Sequence, residues 1–369
     1  MPFYYKSHGK EAPNGFVAFA RRIYNPLGFK RGYNFPLWVI LAGAALGFCA
    51  SRAMYLDYDG TYGKNKRVTG DWEHQEKGLG RTGMLMHLAC VVPIGFLLPW
   101  QFLPIVRYRA IWLHRIFGYL LILLLLGGNV GAIIVAPMSF GGSLDIRTLV
   151  GVLAIMTTGS ALLAWINIRR LQIDQHRNWM LRTWAYAFII ITQRLMMLAA
   201  NPIVSRVGGM YTAMACSTID SIGEIVAPNL SAVYYPECEG AGPGRTVAVL
   251  ADMNPEPTSE GLPQLHHIAA TLRLVFPVTV VLAVLLHAFA VETYIHLTPH
   301  EAARLKRVSR ERQLAKGYRL AGDSSFLTAE ALGDAEPFNY GEQATAEQEK
   351  LGQAGSGSSE GGESERRDS

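Results

Sequence analysis

Six long stretches nearly free of charge constrain this chain more than any other feature: approximately Phe35–Tyr55, Gly83–Phe102, Ile111–Ala136, Leu149–Ile168, Trp179–Ala200 and Ile268–Glu292. A helix that crosses a hydrocarbon core needs roughly 20 mostly apolar residues, because lipid offers the backbone no hydrogen-bond partner and a helix satisfies its own. Half of the 369 residues are hydrophobic and only 17% are charged. The charges gather at the chain ends and in short patches, which leaves the apolar runs intact. The expected fold is all-α, a polytopic transmembrane bundle of about six helices.

Basic residues alternate between the connecting segments, as expected when Lys and Arg are retained in the cytosol. Residues 1–34 carry Lys6, Lys10, Arg21, Arg22, Lys30 and Arg31, without the apolar core of a cleaved signal, and are expected to form a cytosolic N-terminal segment. The second loop has Arg107, Arg109 and Arg115, the fourth has Arg169, Arg170, Arg177 and Arg182, and basic residues recur from Arg304 to Arg319. The third loop offers only Arg147, and the long fifth loop only Arg206 and Arg245. Both termini are therefore expected in the cytosol. The first loop is ambiguous, since its Lys and Arg residues are matched by Asp and Glu. The net charge of +5 follows the membrane faces rather than forming a basic domain, which argues against nucleic acid and for the bilayer's anionic lipid headgroups as partners.

Residues 35–296 form the expected membrane domain, with an exoplasmic fifth loop over 201–267, a cytosolic helix over 297–320 and a Gly-, Ser- and Glu-rich disordered tail over 321–369. Cys49 and Cys90 lie in apolar runs and read as packing residues, whereas Cys216 and Cys238 share the fifth loop, where a disulfide can persist. Asn229-Leu230-Ser231 is a glycosylation sequon in that loop. The segment Tyr211–Ala227 patterns as an amphipathic helix, interfacial or re-entrant, or as a seventh crossing.

Ionisable residues inside membrane helices are costly, so each is a candidate for function. Direction of crossing sorts them into two layers. Gln101, His114, Arg115, His176, Arg177, Arg182 and His287 belong near the cytosolic face, and His87, Gln193 and Arg194 near the other, with His266 or His267 at their level. One reading is haem b: His87, His114 and His176 supply imidazoles, the best inner pair being His114 and His176, and Arg115 and Arg177 pair with propionates. In this reading His176 stands just before the fifth helix. A second is transport or accessory handling of an anionic or amphiphilic substrate, with Gln101, Arg182, Gln193 and Arg194 along an interior path. No interrupted helix pair is evident to support transport. A third is a structural membrane subunit, in which the His-Arg pairs anchor helix ends to phosphates and His87 and Arg194 make buried structural hydrogen bonds. Glu73-His74 and His266-His267 lack metal-ligand spacing and read as solvent-facing. No catalytic signature and no metal site is evident.

These polar positions also carry a resemblance. His87, Gln101-Phe102, the run His114-Arg115-Ile116-Phe117-Gly118-Tyr119, Gly141-Gly142, Arg169-Arg170, the run from Asp174 to Arg182 and Thr192-Gln193-Arg194 resemble the multi-pass membrane proteins catalogued as domain of unknown function 2306. The most specific piece is His176-Arg177-Asn178-Trp179-Met180-Leu181-Arg182. The resemblance covers a family-like core over 83–200 and implies that its polar residues are motif residues; it implies no activity.

Overall fold

A computed structural model describes residues 14–223, 230–240, 242, 244–258, 261–318 and 332–334. The glycosylation site Asn229, the end of the Tyr211–Ala227 segment and nearly all of the 321–369 tail lie outside the described residues. A short α1 (Gly15–Tyr24) precedes the first long helix, α2 (Asn34–Ala53). Loop 1 winds through a π-turn (Tyr58–Tyr62), α3 (Gly63–Thr69) and α4 (Trp72–Gln75) into α5 (Gly78–Phe102), α6 (Pro104–Arg109) and α7 (Ile111–Val135). There follow α8 (Leu144–Arg169), α9 (Ile173–Ala187) and α10 (Ile189–Val207). Loop 5 contains β1 (Tyr211–Ala215), α11 (Cys216–Gly223), α12 (Leu230–Tyr234) and β2 (Thr246–Leu250), and the chain continues into α13 (Leu265–His296) and α14 (Pro299–Ala315).

Among the described residues, six stretches are long and apolar enough to cross a membrane: Asn34–Leu56, Gly78–Phe102, Ile111–Met138, Leu144–Arg169, Ile173–Val207 and Leu265–His296. The chain is an all-α polytopic membrane protein. Its described residues fall into two compact units, one drawn from Met1–Ala161 and Leu181–Tyr294, the other from Leu162–Met180 and Ile295–Ser369.

In the larger unit, lipid gives helices no hydrophobic reason to associate, so close backbone packing has to supply it. Gly131 of α7 sits where a Cβ would come within 2.6 Å of both Gly83 O and His87 N of α5. At this contact His87 Nδ1 meets Gly128 O at 2.8 Å. A carbonyl only accepts, so that nitrogen carries the proton. One residue after Gly128 on α7, Asn129 Nδ2 reaches both Thr157 Oγ1 and Thr158 Oγ1 of α8 at 2.9 Å, satisfying an amide that lipid would leave bare.

The odd-numbered loops gather at one end of this unit. Asp71 of loop 1, 1% exposed, accepts from the backbone N–H of Phe140 in loop 3 at 2.8 Å and from Lys66 Nζ and Thr69 Oγ1 at 3.1 Å. Gln75 donates to Met138 O at 2.7 Å and Ser139 Oγ at 3.0 Å, while its side-chain oxygen accepts from Tyr62. Loop 5 packs its Met214, Ile219, Ile222 and Val249 against Ala269 and Ala270 of α13, with Cys216 joined to Cys238.

The structure corrects several sequence expectations. Residues 211–215 form a strand paired antiparallel with β2 rather than the start of a helix. The α11 helix that follows has 8 residues and rises only about 12 Å, too short to cross. His266, expected to face solvent, is 2% exposed, because Tyr234 and Tyr235 of loop 5 pack on its ring, tilted at 4.6 Å and edge-on at 5.6 Å. The fifth span starts at Ile173, so His176 lies in its first turn rather than outside it. Within the smaller unit the reason is visible: Ser309 Oγ of α14 lies 2.9 Å from Ile173 N and 3.4 Å from Asp174 N, acting as an N-cap supplied by another helix. The fifth span is also interrupted at Phe188, between α9 and α10, where no break was expected.

Candidate functional site

Arg182 and Arg194 mark two different chemistries on one membrane span. Arg182 Nε and Nη2 clasp the two oxygens of Glu292 on α13 at 2.6 and 2.9 Å, a bidentate pair. Arg194 has no acidic side chain within salt-bridge distance among the described residues. Its guanidinium lies over Phe140 at 5.4 Å and Phe276 at 5.6 Å, and Nη1 donates to Met197 Sδ at 3.5 Å. The two rings stack at 4.1 Å, so they form one apolar wall.

The local structure that builds this wall is strained. Phe140 has φ +51°, unusual for a bulky side chain, and Gly141 and Gly142 continue with φ +81° and +59°. Asp71 holds the Phe140 N–H in place. Gly141 is needed for a second reason: a Cβ there would lie 3.0 Å from Arg273 Nη1.

Three more cations converge on this end. Lys66 Nζ lies 5.0 Å from the Phe140 centroid and 5.7 Å from that of Tyr62. Arg273 Nη2 donates to Thr69 O at 3.2 Å, while its buried Nε has no acceptor among the described residues. Arg52 donates to Tyr55 OH at 2.8 Å and is close enough for its charge to act on Arg194. Among the described residues Asp71 is the one buried carboxylate of this cluster; Lys66 pairs with it directly, and its charge also acts on Arg194 and Arg273. Glu73 acts on Arg273 from the exposed surface. Around the cluster, burial pushes the Tyr58 hydroxyl up to about 12 and that of Tyr62 higher still, so both stay protonated donors.

The other sequence candidates are spread over both units. Gln101 Nε2 donates to His114 O at 2.9 Å, tying the end of α5 to the start of α7, and Arg115 is exposed. Gln193 Nε2 donates to Thr279 Oγ1 of α13 at 3.0 Å. In the smaller unit His176 Nδ1 meets Ala164 O at 2.9 Å and Arg177 Nη2 donates to Thr298 Oγ1 at 3.0 Å. His114 and His176 thus belong to different units. No group of three or more His, Cys, Asp or Glu is placed to hold a metal among the described residues.

Sequence reasoning missed Arg52, Arg273 and the role of Phe140. Both arginines were visible as lone cations in apolar runs. Gly141-Gly142 was the signal for Phe140.

Fold and site together define a polytopic membrane protein with a cation-rich, aromatic-walled cluster under its odd-numbered loops. The family described as "Predicted membrane protein (DUF2306)" matches residues 84–226, from α5 into loop 5, which bears out the resemblance read from the His-Arg motifs. No curated protein and no solved structure matches the chain.

Proposed function

We propose that the protein binds an anionic amphiphile at the Arg194 cluster and handles it as a transporter or pathway accessory. One observation carries this reading: Arg194 lies within a membrane span, on an apolar wall, with no carboxylate in salt-bridge distance among the described residues, and Asp71, whose charge acts on it from further off, is already paired with Lys66. An uncompensated guanidinium in a low-dielectric setting is costly, and an anionic headgroup removes the cost. Lys66, Arg273 and Arg52 add positive charge at the same end, and Phe140 and Phe276 suit the apolar part of such a ligand. Arg182 is satisfied by Glu292 and serves structure in this reading. The test is a binding titration in neutral detergent with a long-chain alkyl phosphate and the matching alcohol. Only the phosphate should bind, and Arg194→Met should lose that binding. Equal binding of the alcohol would reject the reading.

A second reading keeps haem b, on a specific observation. His87 gives its Nδ1 proton to Gly128 O, which leaves Nε2 as the lone-pair nitrogen that ligation requires. Within the smaller unit His176 has the same Nδ1 arrangement, and His114, Arg115 and Arg177 enter this reading from the sequence alone. Protein purified from haem-replete cells should then show a Soret band that His87→Ala removes. No Soret band in the wild type would end this reading.

A further inference from the structure

Polar side chains recur along the whole seam between the α9–α10 pair and α13, and the anion-binding reading uses only Arg194 from this row. From one end, Arg182 clasps Glu292. Next, His287 Nδ1 meets Ala185 O and His287 Nε2 meets Thr192 Oγ1, both at 2.7 Å. Then Gln193 donates to Thr279, and beyond it the polar row continues on α13 alone, where Thr271 Oγ1 donates back to His267 O of the same helix at 2.9 Å. Glu292 and His267 are separated by 25 positions on one helix, about 37 Å of rise against a hydrocarbon core of about 30 Å.

Two buried acceptors on α10 strengthen the pattern. Gln193 Oε1 and Asn201 Oδ1 have no hydrogen-bond partner among the described residues, although Gln193 is 0% exposed and Asn201 8%. They lie 8 positions apart, two turns along one face. Buried acceptors of this kind are met by ordered water.

We propose that this seam is a proton pathway and that His287 is its proton-binding centre. The hydrogen bonds define how the proton is held. Ala185 O can only accept, so His287 Nδ1 carries hydrogen and Nε2 is the lone-pair nitrogen that accepts from the Thr192 hydroxyl. Ala185 O is available because the break at Phe188 removes its helical donor, Ile189 N–H. A proton arriving at Nε2 turns that nitrogen into a donor. Thr192 Oγ1 must then accept, and its own hydrogen turns back to the Phe188 carbonyl one turn earlier. Loss of the proton from Nε2 reverses both steps. The charged and titratable groups along this stretch are Arg182 and Tyr186 of α9 and Glu292 of α13, which act on one another. From α8, Leu149 and Leu153 pack on the same apolar cluster as Val284, and from α2 the uncharged Asn34 accepts from Tyr294.

The experiment uses the full chain in neutral-lipid vesicles with trapped pyranine, driven by a potassium gradient and valinomycin. Wild-type vesicles should change internal pH faster than protein-free vesicles by roughly tenfold or more. His287→Asn keeps an amide donor for Ala185 O but cannot take up a proton, and should fall to the protein-free rate. Thr192→Val keeps the imidazole and removes the relay, and should also slow the flux. If His287→Asn does not fold, Thr192→Val decides the matter. Wild-type vesicles no faster than protein-free ones, or either variant at the wild-type rate, would overturn the pathway. Alkyl phosphate binding by folded His287→Asn should match the wild type, which separates failure of this inference from failure of the anion site.

Discussion

Arg182 and Arg194 are 12 positions apart on one span, yet the protein treats them oppositely. Arg182 reaches a carboxylate that is 51% exposed, in a bidentate pair on the outside of the seam. Arg194 is turned onto two stacked rings held by a strained loop. The difference teaches that an arginine in a membrane helix is not by itself evidence of a ligand. What matters is whether the fold supplies its anion, and here it does so for one of the two.

The comparison breaks most visibly at Asp71, the buried carboxylate nearest the Arg194 cluster. If Asp71 serves the loops and Lys66, Asp71→Ala should cost about 3–5 kcal/mol of stability, as removal of one partner from a buried charged network does. Thermal unfolding in detergent measures it. A near-silent substitution would mean that Asp71 is not what fixes Phe140 under Arg194.

Ligand linkage sharpens the comparison next. At an alkyl phosphate concentration about 100 times its Kd, the wild type should gain about 2.7 kcal/mol, read as a rise in Tm. Arg194→Met should gain none, and Arg182→Met should gain as the wild type does. Without ligand the order reverses. Arg182→Met should lose on the order of 1 kcal/mol, a value discounted for the exposure of Glu292, whereas Arg194→Met, which removes an uncompensated charge, should be neutral or stabilising.

The smallest effect serves as a control far from either arginine. The N–H and hydroxyl of Thr61 hold the exposed Asp57 carboxyl below its usual range. Its contribution is complete above about pH 4 and is lost as pH falls through the lower folded value. A pH scan of Tm should show a slight decline at the acid end that Thr61→Val lessens without removing, because the backbone N–H of residue 61 still donates to Asp57.

The six spans were legible because each is a run of apolar residues that the bilayer demands, and length alone sets it. Their ends were less so. His176 is helical because Ser309, more than a hundred residues away in sequence, caps Ile173 and Asp174. The strand at Tyr211 needs its partner at Thr246–Leu250, and the burial of His266 needs Tyr234. None of these contacts is local, so no periodicity reveals them. Arg194 was legible as a costly residue, but its partners were not, since Phe140, Phe276 and Asp71 come to it from distant parts of the sequence. Phe140 was signalled only by the Gly141-Gly142 beside it, because its importance lies in a backbone conformation.

The central claim is that Arg194 takes its counter-ion from a ligand. Native mass spectrometry of the wild-type protein, released from neutral detergent, tests this most directly. The account predicts one anionic lipid-like adduct per chain, retained under activation that strips neutral lipid and absent from Arg194→Met. A wild-type chain with no anionic adduct, or an equal adduct on Arg194→Met, would contradict it.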